Sequence, residues 1–62
     1  MREYITQKRK ELGLSQKDAA AKVGISQPSY CDIEHGKINP SVKTAKAIAN
    51  VLGFEWTKLF EE

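Results

Sequence analysis

The chain has 62 residues, of which 40% are hydrophobic and 29% are charged, and its formal net charge is +2. This size and balance predict one small globular domain near the lower limit at which a single core is stable, and they argue against disorder. The single cysteine excludes an internal disulfide and a multi-cysteine zinc site, and no apolar run approaches the ~20 residues that a membrane-spanning helix needs.

The charges are unevenly distributed along the chain. Residues 1–52 hold nine Lys/Arg against five Asp/Glu, a net of +4, whereas residues 53–62 hold one against three, a net of −2. A basic segment can neutralise phosphates and so give sequence-independent affinity for a nucleic acid, although ordinary solvated lysines explain the bare count equally well. No apolar segment follows the first charges, so we expect no signal peptide and a cytoplasmic location.

Helical spacing of the apolar residues predicts an all-α fold, a compact bundle of five short helices in one domain over residues 1–62. The first helix spans about residues 2 to 11 or 12 and carries Ile5, Arg9 and Leu12 on one face. Gly13 follows in the position of a left-handed cap.

Two short helices then flank a glycine. Ser15 caps a helix over about residues 16–23, and Ser26 caps another over about residues 27–35. Gly24 makes the turn between them. This layout is a helix-turn-helix unit, whose second helix can lie in the major groove of DNA.

Two further helices complete the prediction. Ser41 caps a fourth helix, which Gly53 ends, and its apolar stripe includes Ile48 and Leu52. A last short helix covers about residues 55–60.

The order and spacing of these signals resemble the lambda-type repressor and Cro family, also called XRE-type regulators. The resemblance runs from about residue 5 to residue 60, and it is carried by Arg9, Gly13-Leu14-Ser15-Gln16, Ala20, Val23-Gly24-Ile25-Ser26-Gln27, Ile33-Glu34, Gly36-Lys37 and Asn39-Pro40-Ser41. It implies a lambda repressor-like DNA-binding domain. Ala19 departs from the larger apolar residue of this family, so we expect Tyr30 or Leu12 to fill the volume.

Arg9 and Glu34 match a buried ion pair of this family that joins the first helix to the end of the third. The residues themselves agree, because Arg9 lies on an apolar stripe and a buried charge needs a partner. Two unrelated solvated charges are the alternative.

The resemblance also implies five phosphate-binding positions. Gln16 matches a phosphate contact at the start of the second helix. Lys37 and His35 match the loop after the third helix, which follows the DNA backbone, and Lys43 and Ser41 extend the set to the start of the fourth helix.

Gln27, Pro28, Ser29 and Asp32 match the outward, base-reading face of the third helix. The Gln27 amide can make two hydrogen bonds to adenine N6 and N7, whereas Pro28 offers only apolar contact. Asp32 is ambiguous: it can accept from cytosine N4, repel phosphates, or turn toward neighbouring side chains. We interpret Cys31, beside this face, as inert packing.

The predicted last helix is rich in apolar groups. Trp56, Leu59 and Phe60 exceed what a small core can bury, which predicts an exposed patch and a homodimer interface. The alternative is that Trp56 and Leu59 close the core of the monomer and only Phe60 is exposed.

These observations predict a sequence-specific transcriptional regulator, most simply a homodimeric repressor at a pseudo-palindromic operator on double-stranded DNA. An antitoxin-like or controller module that acts mainly through a protein partner is the alternative. The sequence offers no pattern for an enzyme, a cofactor, a metal site or a small-molecule effector.

Overall fold

The computed structural model describes residues 2–61, which form four α-helices followed by a 3₁₀ helix. The elements are α1 (Glu3–Glu11), α2 (Gln16–Val23), α3 (Gln27–Glu34), α4 (Val42–Leu52) and the 3₁₀ helix (Trp56–Phe60). Residues 2–61 contain no strand, and none of their helices has the length and apolarity to cross a bilayer.

Serine caps begin α2, α3 and α4, as the sequence predicts. The hydroxyl oxygens of Ser15, Ser26 and Ser41 each accept a hydrogen bond from the backbone N–H three residues later. At α2 the Asp18 carboxylate also accepts from the backbone N–H of Ser15, which completes a capping box. Each cap satisfies an N–H that the helix leaves without a partner, so these starts are fixed locally.

The turn between α2 and α3 depends on Gly24. Its backbone φ is +90°, a left-handed conformation that residues with a Cβ atom rarely adopt. The Gly24 N–H donates to the Ala20 carbonyl, which ends α2, and the chain then reverses into α3. The two helices consequently pack against each other.

The core lies where α1, α2, α3, α4 and the 3₁₀ helix meet. Tyr30, one of the two residues expected to fill the volume beside Ala19, is fully buried and belongs to the same buried cluster as that alanine. Leu12 does not contribute, because its side chain is 53% exposed. Leu12 is the C-cap residue that follows α1, and it lies outside the helix itself.

The last element differs from the predicted helix in its winding. It is a 3₁₀ helix over Trp56–Phe60, and Glu55 at its start makes no side-chain cap hydrogen bond. With three residues per turn, Trp56 and Leu59 share one face and Phe60 points about 120° away. Leu59 is accordingly buried at 2% exposure and Phe60 is 46% exposed. The prediction that Leu59 belongs to an exposed interface is therefore wrong, because its side chain closes the chain's own core.

Arg2 holds the chain ahead of α1 against the end of α3. Its backbone N–H donates to the Glu34 carbonyl over 2.8 Å, and its buried guanidinium donates to the carbonyls of Ile33 and Ile38 and to the Asn39 side chain. These bonds join α3 to the loop that follows it. Sequence reasoning missed this role, since an arginine before the first helix has the appearance of a solvated charge.

The opposite environments of Leu59 and Phe60 predict opposite responses to truncation. We expect Leu59→Ala to lower the free energy of unfolding by about 2–5 kcal/mol, because it leaves a cavity in the core. The neighbouring Phe60→Ala should cost about 1 kcal/mol or less at a dilute protein concentration. Urea denaturation followed by circular dichroism measures both, and equal losses would contradict this assignment.

Candidate nucleic-acid interface

The predicted ion pair between Arg9 and Glu34 is present and fixes α3 against α1. Arg9 Nε lies 2.9 Å from Glu34 Oε1, and Arg9 Nη2 lies 3.3 Å from Oε2. The Glu34 side chain is 1% exposed and that of Arg9 is 12% exposed. Arg9 Nη1 also donates to the Leu14 carbonyl over 2.9 Å, which ties the loop before α2 to the same centre.

Gln16 joins this pair from the start of α2. Its Nε2 donates to Glu34 Oε2 over 2.9 Å, so three helices meet at one buried carboxylate. We predict Gln16 to bind phosphate, and the structure gives its side chain an intramolecular partner instead. The amide nitrogen carries a second hydrogen, which that bond leaves available.

The charges at this centre are mutually stabilised. Burial alone would raise the pKa of Glu34, but hydrogen bonds from Arg9 and Gln16 and the Arg9 charge together hold it below its ordinary value. The hydrogen bond to Glu34 likewise raises the pKa of Arg9. Burial, reinforced by the Glu34 charge, raises the pKa of Tyr30, so its hydroxyl stays neutral beside the pair.

The residues predicted to read bases lie at different depths on α3. Gln27 and Pro28 are exposed on its first turn, whereas Ser29 and Asp32 are partly buried. The Ser29 oxygen accepts a hydrogen bond from the Ser26 hydroxyl over 2.9 Å, and its own hydrogen remains for an outside acceptor. Gln27 therefore offers the most accessible polar group among the four.

The residues predicted to bind phosphate come from three places: the start of α2, the loop after α3 and the start of α4. His35, Lys37, Ser41 and Lys43 are all exposed. The Lys37 N–H donates to the Asp32 carbonyl over 2.8 Å, so the backbone there folds back onto α3. The Ser41 oxygen caps α4, which leaves its hydroxyl engaged within the chain.

Two side chains of types that can bind metals, a cysteine and a histidine, lie close together at the end of α3. Cys31 Sγ lies 4.0 Å from His35 Nδ1 on successive turns at the end of α3. Residues 2–61 contain no cluster of three or more His, Cys, Asp or Glu side chains suited to a metal ion.

Comparisons with known proteins agree with this geometry. A family model described as helix-turn-helix matches residues 5–59. The HTH-type transcriptional regulator YqaF of Bacillus subtilis is 39% identical over 62 residues, covering 100% of this chain and 82% of that protein. An HTH-type transcriptional regulator of the archaeon Methanothermobacter thermautotrophicus is 42% identical over 55 residues, covering 89% and 80%.

A phage protein is also similar. The immunity repressor protein of Bacillus phage phi105 is 37% identical over 54 residues, which cover 87% of this chain and 38% of that protein. No solved structure matches the chain significantly.

The lowered pKa of Glu34 predicts that acid weakens the fold. The group takes its ordinary pKa of 4.5 when unfolded and a lower one when folded. The stability that its ionised form contributes is therefore fully present above pH 4.5 and is lost as the pH falls through the folded pKa.

We expect the double variant Arg9→Met/Glu34→Leu to fold and to lose less of its free energy of unfolding below pH 4.5 than the parent chain. Arg9→Met alone should destabilise by about 3–5 kcal/mol at neutral pH, because it leaves a buried carboxylate without its ion pair. Urea titrations across the acid range measure all three proteins. Parallel pH curves for the parent and the double variant would refute this role of the pair.

Proposed function

Since the chain belongs to the helix-turn-helix family of DNA-binding transcriptional regulators, we propose that it is a homodimeric repressor that binds a pseudo-palindromic operator. The observation that carries the proposal is the exposed first turn of α3, headed by Gln27, on a helix anchored from behind by Glu34. Two such turns, one from each copy, would enter successive major grooves about 34 Å apart.

Base reading in this proposal centres on Gln27. A glutamine amide both donates and accepts, which matches N6 and N7 at the adenine edge, and one such pair discriminates by about 1–3 kcal/mol. Pro28 adds an apolar surface beside it, suited to a thymine methyl group. The anchoring of α3 supports this role because a reader must be held in one orientation.

Phosphate binding positions the domain on the duplex. Lys37 lies in the loop between α3 and α4, Lys43 lies on the first turn of α4, and both side chains are exposed. Charges of this kind supply affinity without sequence information, and they set the register of the reading helix. Gln16 contributes through the second hydrogen of its amide, while the first stays on Glu34.

Repression follows most simply from steric exclusion. A dimer bound across two half-sites covers the promoter and blocks polymerase. The similarity to a phage immunity repressor supports repression rather than activation. The exposed Phe60 and partly buried Trp56 support self-association.

Gln27→Ala tests the reading role. We expect it to weaken operator binding by about 1–3 kcal/mol, to relax base preference at one or two positions, and to leave folding intact. Fluorescence anisotropy with operator and scrambled duplexes measures the effect. Equal losses on both duplexes would remove Gln27 from base recognition.

Lys37→Ala tests the backbone contact. We expect weaker binding to every duplex and a salt dependence that is shallower by about one ion, because one fewer phosphate is neutralised. Lys10→Ala on α1 is the matched control, since it removes the same charge from an exposed position outside the predicted DNA contacts. A Lys37→Ala salt slope identical to that of the control would exclude the contact.

A further inference from the structure

A groove lies between the end of α4 and the segment that leads into the 3₁₀ helix. Its volume is about 430 Å³, and Lys46, Asn50, Phe54, Glu55 and Trp56 are among its lining residues. None of these residues belongs to the predicted DNA contacts. The groove is therefore a second surface, separate from the reading face of α3.

Trp56 forms a wall of the groove and is held from two sides. Lys46 Nζ lies 5.0 Å from the centroid of the Trp56 ring, a cation–π contact from α4. The Phe60 ring meets the Trp56 ring edge-on, with the centroids 6.0 Å apart. Phe60 is also 46% exposed, so an open aromatic side chain stands directly beside an open groove.

From this arrangement we infer that a second copy of the chain occupies the groove, with Phe60 of each copy inserted into the groove of the other. The inference rests on the homodimer proposed above and assigns its contacts. Trp56 lines the groove and contacts the Phe60 ring, so both features adjoin the same residue. In the inferred dimer a two-fold axis beside Trp56 pairs each Phe60 with the opposite groove and closes the assembly.

Charge complementarity favours a second copy over an unrelated partner. Glu61 follows Phe60, and Lys46 lines the groove into which that ring would enter. The acidic group next to the inserted ring thus has a basic group available on the receiving side, whereas Lys58 Nζ lies 4.6 Å from the centroid of the chain's own Tyr4 ring.

The test uses one variant without the projecting ring and one with a filled groove. Phe60→Ala removes the ring, and Asn50→Trp fills the groove from an exposed position of α4. We expect each variant alone to raise the dimer dissociation constant about tenfold or more, as truncation of a central aromatic contact does. Lys22→Trp, on the exposed surface of α2, adds the same bulk elsewhere and should leave the constant unchanged.

Mixing the two variants distinguishes this pairing from other dimers. Neither homodimer keeps an intact contact, whereas a heterodimer keeps one, from the ring of Asn50→Trp to the groove of Phe60→Ala. Sedimentation should show dimers in the mixture at concentrations where each variant alone is monomeric. For the parent chain, emission from its single tryptophan, which lines the groove, should shift with protein concentration.

A monomeric parent chain, an unchanged dissociation constant for either variant, or a mixture that stays monomeric would overturn this pairing. Operator binding by the parent chain is measured separately with single half-site and double half-site duplexes. Selective binding to half-sites without the dimer contact would leave the base-reading role of α3 standing while this inference fails. Loss of all sequence preference would instead contradict the proposed function.

Discussion

The architecture depends on one buried carboxylate. Glu34 is charged, almost completely enclosed, and bonded to Arg9 from α1 and to Gln16 from α2. A charge taken out of water is costly unless partners surround it, so Glu34 can be buried between the three helices only with these partners in place. An apolar replacement of the whole pair can be equally stable, whereas removal of one partner leaves a buried charge unpaired.

On α3, which has only eight residues, the side chains that hold the helix in place are different from those proposed to contact DNA. Tyr30, Ile33 and Glu34 face inward, while Gln27 and Pro28 on the first turn are exposed. Arg2 reinforces the support by joining the end of α3 to the following loop, from which Lys37 extends. The elements proposed to approach the major groove and the DNA backbone are thus joined to one another within the free chain, which would reduce the ordering cost of binding.

Local signals made much of this predictable from the sequence. Serines at the helix starts, glycines at the ends and apolar residues at helical spacing act within a few residues, so α2 has the predicted bounds and α3 ends one residue earlier than predicted. The need of Arg9 for an acid was also predictable, because Arg9 interrupts an apolar stripe, but Glu34 was identified as its partner only through the resemblance to the lambda-type repressor and Cro family. The helix bounds, unlike this pairing, require no knowledge of how the helices cross.

Features that depend on tertiary packing could not be predicted from the sequence. Leu12 continues the apolar spacing of α1 and is nevertheless 53% exposed, whereas Leu59 is buried in a 3₁₀ helix that packs against α4. The bonds of Arg2 span more than thirty positions along the chain, and Gln16 meets Glu34 across eighteen. No local pattern encodes such pairings, and a polar side chain at a helix start has several plausible partners.

Base reading by the exposed first turn of α3 can be tested by selection of bound duplexes from a random pool, with the purified chain at near-physiological salt. If α3 reads base edges as proposed, the selected duplexes should contain two related half-sites about one helical turn apart, each with an adenine at the position read by Gln27. Recovery of duplexes without any shared sequence would show that α3 does not read bases.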